Sequence, residues 1–137
     1  MDQICYPKII DKNDTSSSCN WLPLETIELI RNHKTDIILS ILESDKMVVH
    51  YYPIKSNAYH IQVKFNKFAA IIISEMINKL RDLTRKILFS KGTTHANSGG
   101  YIWEAFILEE DLEDSIENID SILNKLKEVS SITWKQV

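Results

Sequence analysis

The sequence predicts an α+β chain: a mostly antiparallel sheet of four or five strands with helices packed on it. Three observations carry this expectation. Apolar side chains alternate with a period of two over residues 47–65 and 86–108, the pattern of strands with distinct faces. Two other segments, 67–84 and 111–128, space them with helical period instead. Between two of the strand-like runs lies Ala96-Asn97-Ser98-Gly99-Gly100, whose composition marks a turn.

Residues 1–20 read as a flexible arm, followed by a single α+β domain over 21–137. The polar run from Asp11 to Ser18 has no apolar period and buries too little surface to offset its ordering entropy. Ile4, Ile9 and Ile10 offer a short strand with no evident place to pack. Pro23 suits the first turn of a helix, where its missing N–H costs nothing. Ile27, Ile30, Ile37, Ile38, Ile41 and Leu42 continue the helical spacing to residue 43 across a polar interruption, Asn32 to Asp36. This favours one long helix with a wet middle over two short ones.

Residues 46–54 and 58–66 form a predicted hairpin turning at Lys55-Ser56-Asn57. Its register pairs Met47 with Phe65, Val49 with Val63 and Tyr51 with Ile61. That places His50, Tyr52, His60 and Gln62 together on the polar face. Pro53 cannot donate to a ladder, so 46–54 is an edge strand or ends there. The helix at 67–84 follows, with Asn66 as its cap and Phe68, Ile72, Met76, Leu80 and Leu83 as its buried stripe. Strands at 86–94 and 101–109 flank the glycine turn. A helix at 111–128 starts on the acids Asp111, Glu113 and Asp114 and ends on Lys125 and Lys127, the order that its dipole favours. A strand at 132–137 closes the chain.

From residue 58 the order is strand, helix, strand, strand, helix, strand, the split βαβ pattern of ferredoxin-like domains. The stretch Ser98-Gly99-Gly100-Tyr101-Ile102-Trp103-Glu104-Ala105-Phe106-Ile107, an acidic-start helix and Val129-Ser130-Ser131-Ile132 resemble ACT-type regulatory domains. They are most similar to the ligand-sensing half of leucine-responsive-type regulators. The resemblance implies a ferredoxin-like sheet, dimerisation, and a small ligand bound near the turn at a subunit interface. The chain departs from that family in front, where residues 23–43 provide too little for a DNA-reading region. The competing arrangement is two ββα units and a final strand in one five-stranded sheet.

The charge balance narrows the partners. Sixteen basic residues are scattered among nineteen acidic ones, for a net charge of −3, whereas phosphate-tracking proteins cluster their Lys and Arg. The densest basic stretch, Lys79 to Lys86, also holds Asp82 and reads as a solvated helix end. Nucleic acid is therefore an unfavoured partner. The longest apolar run, Phe68 to Ile73, falls far short of the roughly 20 residues that cross a bilayer. The first residues lack a secretory pattern, so a cytoplasmic protein without membrane contact is expected. Cys5 and Cys19 show no metal-ligand spacing, and structural, reduced thiols are expected.

The loop from Lys91 to Gly100 is the richest polar cluster. Thr93, Thr94, His95, Asn97, Ser98, Gly99 and Gly100 offer hydroxyls, an imidazole, an amide and backbone N–H groups suited to a small polar ligand. Tyr101, Trp103 and Trp134 are the interface candidates, since aromatic residues are enriched at protein contacts. The chain has no nucleophile elbow, phosphate-binding loop or zinc-protease motif. It assigns no catalytic residue, metal or cofactor. The leading expectation is a non-catalytic regulatory or assembly module, working as a homodimer or with a protein partner. A small enzyme using His95 and Glu104, or a metal held by His50 and His60, is the alternative. A nucleic-acid-associated subunit comes third, against the acidic balance.

Overall fold

The computed structural model describes residues 4–11, 24–35, 37–94 and 99–137. The chain packs as two compact units, Met1–Asn57 with Val137, and Ala58–Gln136. Both are antiparallel α+β structures, and the strands form two sheets rather than the one sheet expected.

In the first unit, β1 (Cys5–Asp11), β2 (Ile37–Glu43) and β3 (Val48–Ile54) form a three-stranded sheet in the order β1-β2-β3, and α1 (Leu24–Asn32) is its helix. Part of the predicted arm is thus a strand, in which Cys5 and Ile10 are buried. Residues 12–20, including Cys19, and Pro23 lie outside the described residues. The long helix over 23–43 is corrected to one helix and one strand. The break falls at the polar interruption, where the Thr35 N–H donates to His33 Nδ1 at 3.2 Å. Beyond it, the Ile- and Leu-rich run of β2 suits a pleated, buried surface as well as it suits a helix. Ile30 of α1 packs with Ile10 and Ile38, bordered by Ile27 and Tyr51.

The predicted pairing of 46–54 with 58–66 is also corrected. β3 pairs with β2, Val49 opposite Leu42 and Tyr51 opposite Ser40. The short connection after Glu43 makes this hairpin the nearer one, and Met47 turns it with a φ of 56°. β3 is an edge strand, as Pro53 requires.

The second unit runs β4 (Ala58–Phe65), α2 (Ala70–Leu83), β5 (Phe89–Thr94), β6 (Tyr101–Leu108), a 3₁₀ turn at Glu109–Asp111, α3 (Ile116–Asn124) and β7 (Val129–Gln136). Its four strands lie in the order β5-β6-β4-β7, so the first strand of the unit sits between its third and its fourth. Ile61 faces Ala105 on one side and Trp134 on the other. The five-stranded ββα-ββα-β arrangement does not form, because β3 belongs to the other sheet.

Helix ends follow local hydrogen bonds more than composition. α2 starts after Ala69, not at Asn66, whose N–H is taken by the Glu128 carbonyl. Ser115 Oγ caps α3 by accepting from the Asn118 N–H at 3.2 Å, so this helix begins five residues later than its acidic run suggests. Ile72, Ile73, Met76 and Leu80 of α2 and Ile119 and Leu123 of α3 close over Ile61, Val63, Phe65, Trp103, Ala105 and Ile107. Alternation on β6 is as expected, with Trp103, Ala105 and Ile107 in this core and Glu104 and Phe106 on the opposite face.

Leu123→Ala, at a fully buried site, is expected to lower stability by about 2–5 kcal/mol in urea denaturation. Leu29→Ala, on an exposed helix surface, should change it by no more than about 0.5 kcal/mol.

Candidate functional site

The polar side chains singled out in the sequence take new partners in the fold. His60 and Glu104 both point to the face of the β5-β6-β4-β7 sheet opposite its helices. His60 lies across from Phe106, and Glu104 lies two positions along β6. The His60 Nε2–H donates to Glu104 Oε1 at 2.9 Å. The imidazole stacks on the Phe106 ring, with centroids 4.5 Å apart and planes 12° from parallel. Exposure is 6% for His60 and 1% for Glu104, so each must satisfy the other to be tolerated in the interior.

A second diagonal pair stands in the other unit. His50 lies opposite Ile41 on β2, two positions from Glu43. Its Nε2–H donates to Glu43 Oε2 at 2.6 Å, and its ring stacks loosely on Tyr52. The expected joint site of His50 and His60 depended on a hairpin that does not form. Among the described residues, no group of three or more His, Cys, Asp and Glu side chains could hold a metal ion. A buried carboxylate that aligns an imidazole can tune it for proton transfer. Here, however, little of His60 is exposed for a substrate to reach.

The expected ligand loop is described in part. Thr93 and Thr94 end β5, with Thr94 opposite Tyr101. His95, Asn97 and Ser98 lie outside the described residues. Gly99 adopts a φ of 69°, a conformation natural to glycine. Its carbonyl accepts from the Phe68 N–H at 3.3 Å, which ties the turn to the start of α2. Gly100 is buried beside it.

The interface candidates fall in three different settings. Trp103, 3% exposed, belongs to the core beneath the helices. Trp134 packs against the same core, and its indole N–H donates to Asp120 Oδ1 of α3 at 3.2 Å. Tyr101 is half-buried. Its ring lies across Gly92 of the neighbouring strand, where an added Cβ would overlap it. On its other sides it meets Phe65 at 6.1 Å and Phe68 at 5.2 Å between ring centroids.

Phe68 and Ile71 are the surface feature that the sequence pattern misses. Phe68 falls on the predicted buried stripe of α2, yet it is 53% exposed and Ile71 is 73% exposed. Phe68 stands just before the helix and Ile71 in its first turn. Phe68 meets Tyr101 next to the Gly99 turn, and Ile71 is exposed on the first turn of the helix that follows. Helical period alone could not reveal it, because the helix starts at Ala70 and Phe68 precedes it.

Compared with known protein families and with curated proteins, the chain matches none. No helix among the described residues is long and apolar enough to cross a membrane.

Glu104→Ala is expected to cost about 1–3 kcal/mol by leaving the buried His60 unsatisfied. Glu104→Gln, which still offers an acceptor oxygen, should cost less in the same denaturation experiment. Burial pushes the Tyr101 hydroxyl above its ordinary value of 10.0. The neutral ring is favoured in the fold, so its contribution is complete below that value and lost as pH rises through the raised one. In an alkaline titration of phenolate absorbance, one late-ionising tyrosine should therefore disappear in Tyr101→Phe.

Proposed function

We propose that the chain is a non-catalytic regulatory or assembly module whose second unit is a ferredoxin-like, ACT-like domain. It associates with a second copy through the surface made by Phe68, Ile71 and Tyr101. The observation that carries this is the exposure of Phe68, whose ring meets the half-buried Tyr101, and of Ile71 on the first turn of the helix that follows. Apolar side chains exposed together, unlike those scattered singly, mark interaction surfaces, and aromatic residues are favoured in them.

The order β-α-β-β-α-β, with β4 between β6 and β7, supports the ferredoxin-like reading. In ACT-type domains small ligands bind near such turns at subunit interfaces. Thr94, Gly99 and Gly100 border this surface and are where a small polar ligand would bind. The described histidines argue against a catalytic role, because His50 and His60 are each committed to a neighbouring carboxylate. Regulation by association needs only a surface and a bound state, both available without a reactive group.

Light scattering after size exclusion should give twice the chain mass at high micromolar concentration. Phe68→Glu combined with Ile71→Glu should return the mass of one chain with unchanged circular dichroism. A wild-type monomer at that concentration would overturn self-association. A charged variant that stays dimeric would place the contact elsewhere.

A further inference from the structure

The other end of α2 carries the densest basic stretch of the chain, and the fold gives it a shape. The helix ends at Leu83, and Thr84 is extended, with its hydroxyl donating to the Leu80 carbonyl at 3.0 Å. The Arg85 N–H donates to the Asp111 carbonyl at 2.7 Å. The Arg85 guanidinium donates to the Glu110 carbonyl, and its Nε lies 3.4 Å from Glu113 Oε1. The bonds of Arg85 fasten it to the segment before α3, where Thr84 also forms a bridge with Leu112. Residues 86–88 then run beside a cavity of about 610 Å³, within the roughly 300–1,000 Å³ typical of small-molecule sites.

The cavity has two kinds of wall. Arg81, Arg85 and Lys86 supply three positive charges, while Ile77, Ile87 and Trp103 supply an apolar side. Two features oppose an anion there: the C-terminal end of a helix carries partial negative charge, and Glu113 meets part of the Arg85 charge. Arg81 and Lys86 outweigh them, since neither is ion-paired among the described residues. A monocarboxylate would use one of these charges. A phosphate ester matches both, and a guanidinium fork is shaped for phosphate oxygens.

We propose that this cavity binds a small phosphorylated organic molecule, with its phosphate held by Arg81 and Lys86 beside Arg85 and its organic body against Ile77, Ile87 and Trp103. The site is separate from the Phe68 surface and does not depend on self-association. An isolated phosphate would leave the apolar wall unused, so the preferred ligand carries both parts.

Phenyl phosphate, inorganic phosphate and phenol are suitable probes for calorimetry and for amide NMR of the full chain. Phenyl phosphate should bind with a dissociation constant of about 1 mM or tighter, the range open to a ligand of so few atoms. Its resonance shifts should centre on Ile87, Ser90 and Trp103, while phenol shows no saturable binding. Arg81→Ala with Lys86→Ala should weaken binding by about tenfold or more, equivalent to about 1.4 kcal/mol. Both residues are exposed, and the thermal midpoint without ligand should stay unchanged. Absence of saturable phenyl phosphate binding, or binding that the double variant leaves intact, would overturn the site. Inorganic phosphate binding as tightly as phenyl phosphate would overturn the organic part of the assignment.

Discussion

The second unit depends on β4 having a partner along both edges. β6 lies on one side and β7 on the other, with Ile61 facing Ala105 and Trp134 at the same level. A strand so placed has its backbone groups taken up in two ladders, which leaves no edge for the preceding β3 to join. The same placement sets which side chains meet the helices. Ile61, Val63 and Phe65 go to α2 and α3, while Ala58 and His60 go to the opposite face. Both sets are buried, so a slip of one residue would exchange them and drive His60 into an apolar core.

The polar residues in the sheets follow from that geometry. Across an antiparallel ladder, a side chain reaches its diagonal neighbour as well as its direct one. His60 uses that reach to meet Glu104, and His50 uses it in its own sheet to meet Glu43. Both imidazoles also stack on an aromatic ring two positions from their hydrogen-bond partner or along their own strand. Paired in this way, each Nε2 is committed to a carboxylate within its own sheet.

At the surface α2 has two unlike ends. Its start presents the exposed Phe68 and Ile71, with Phe68 against Tyr101 and held to the Gly99 turn through a backbone hydrogen bond. Its end presents Arg81 and the residues up to Lys86 around a cavity with an apolar wall. Both ends share the helix buried through Ile72, Ile73, Met76 and Leu80. A change in how either end is occupied therefore acts on a rigid element that also packs over the sheet.

Much was determined by the sequence alone, through periods that need only near neighbours. The strands expected at 86–94, 101–109 and 132–137 and the helices expected at 67–84 and 111–128 were legible from alternation and helical spacing, with ends that the structure shifts. So were the two faces of β6 and the edge position of β3, which Pro53 enforces. Of the turn between the strands at 86–94 and 101–109, only Gly99 and Gly100 lie among the described residues. What only the tertiary structure decided was partnership. Ile37–Glu43 is apolar enough for helix or strand, and its pairing with β1 and β3 settles the matter. Glu104 and His60 could each be assigned a face but not to one another, because the two are joined only once β4 lies beside β6. Arg81 and Lys86 looked like a solvated helix end until Ile87 and Trp103 closed the other wall. Local pattern records which way a side chain points; what it meets there depends on segments distant in the chain, and their order in the sheet is not written in any one of them.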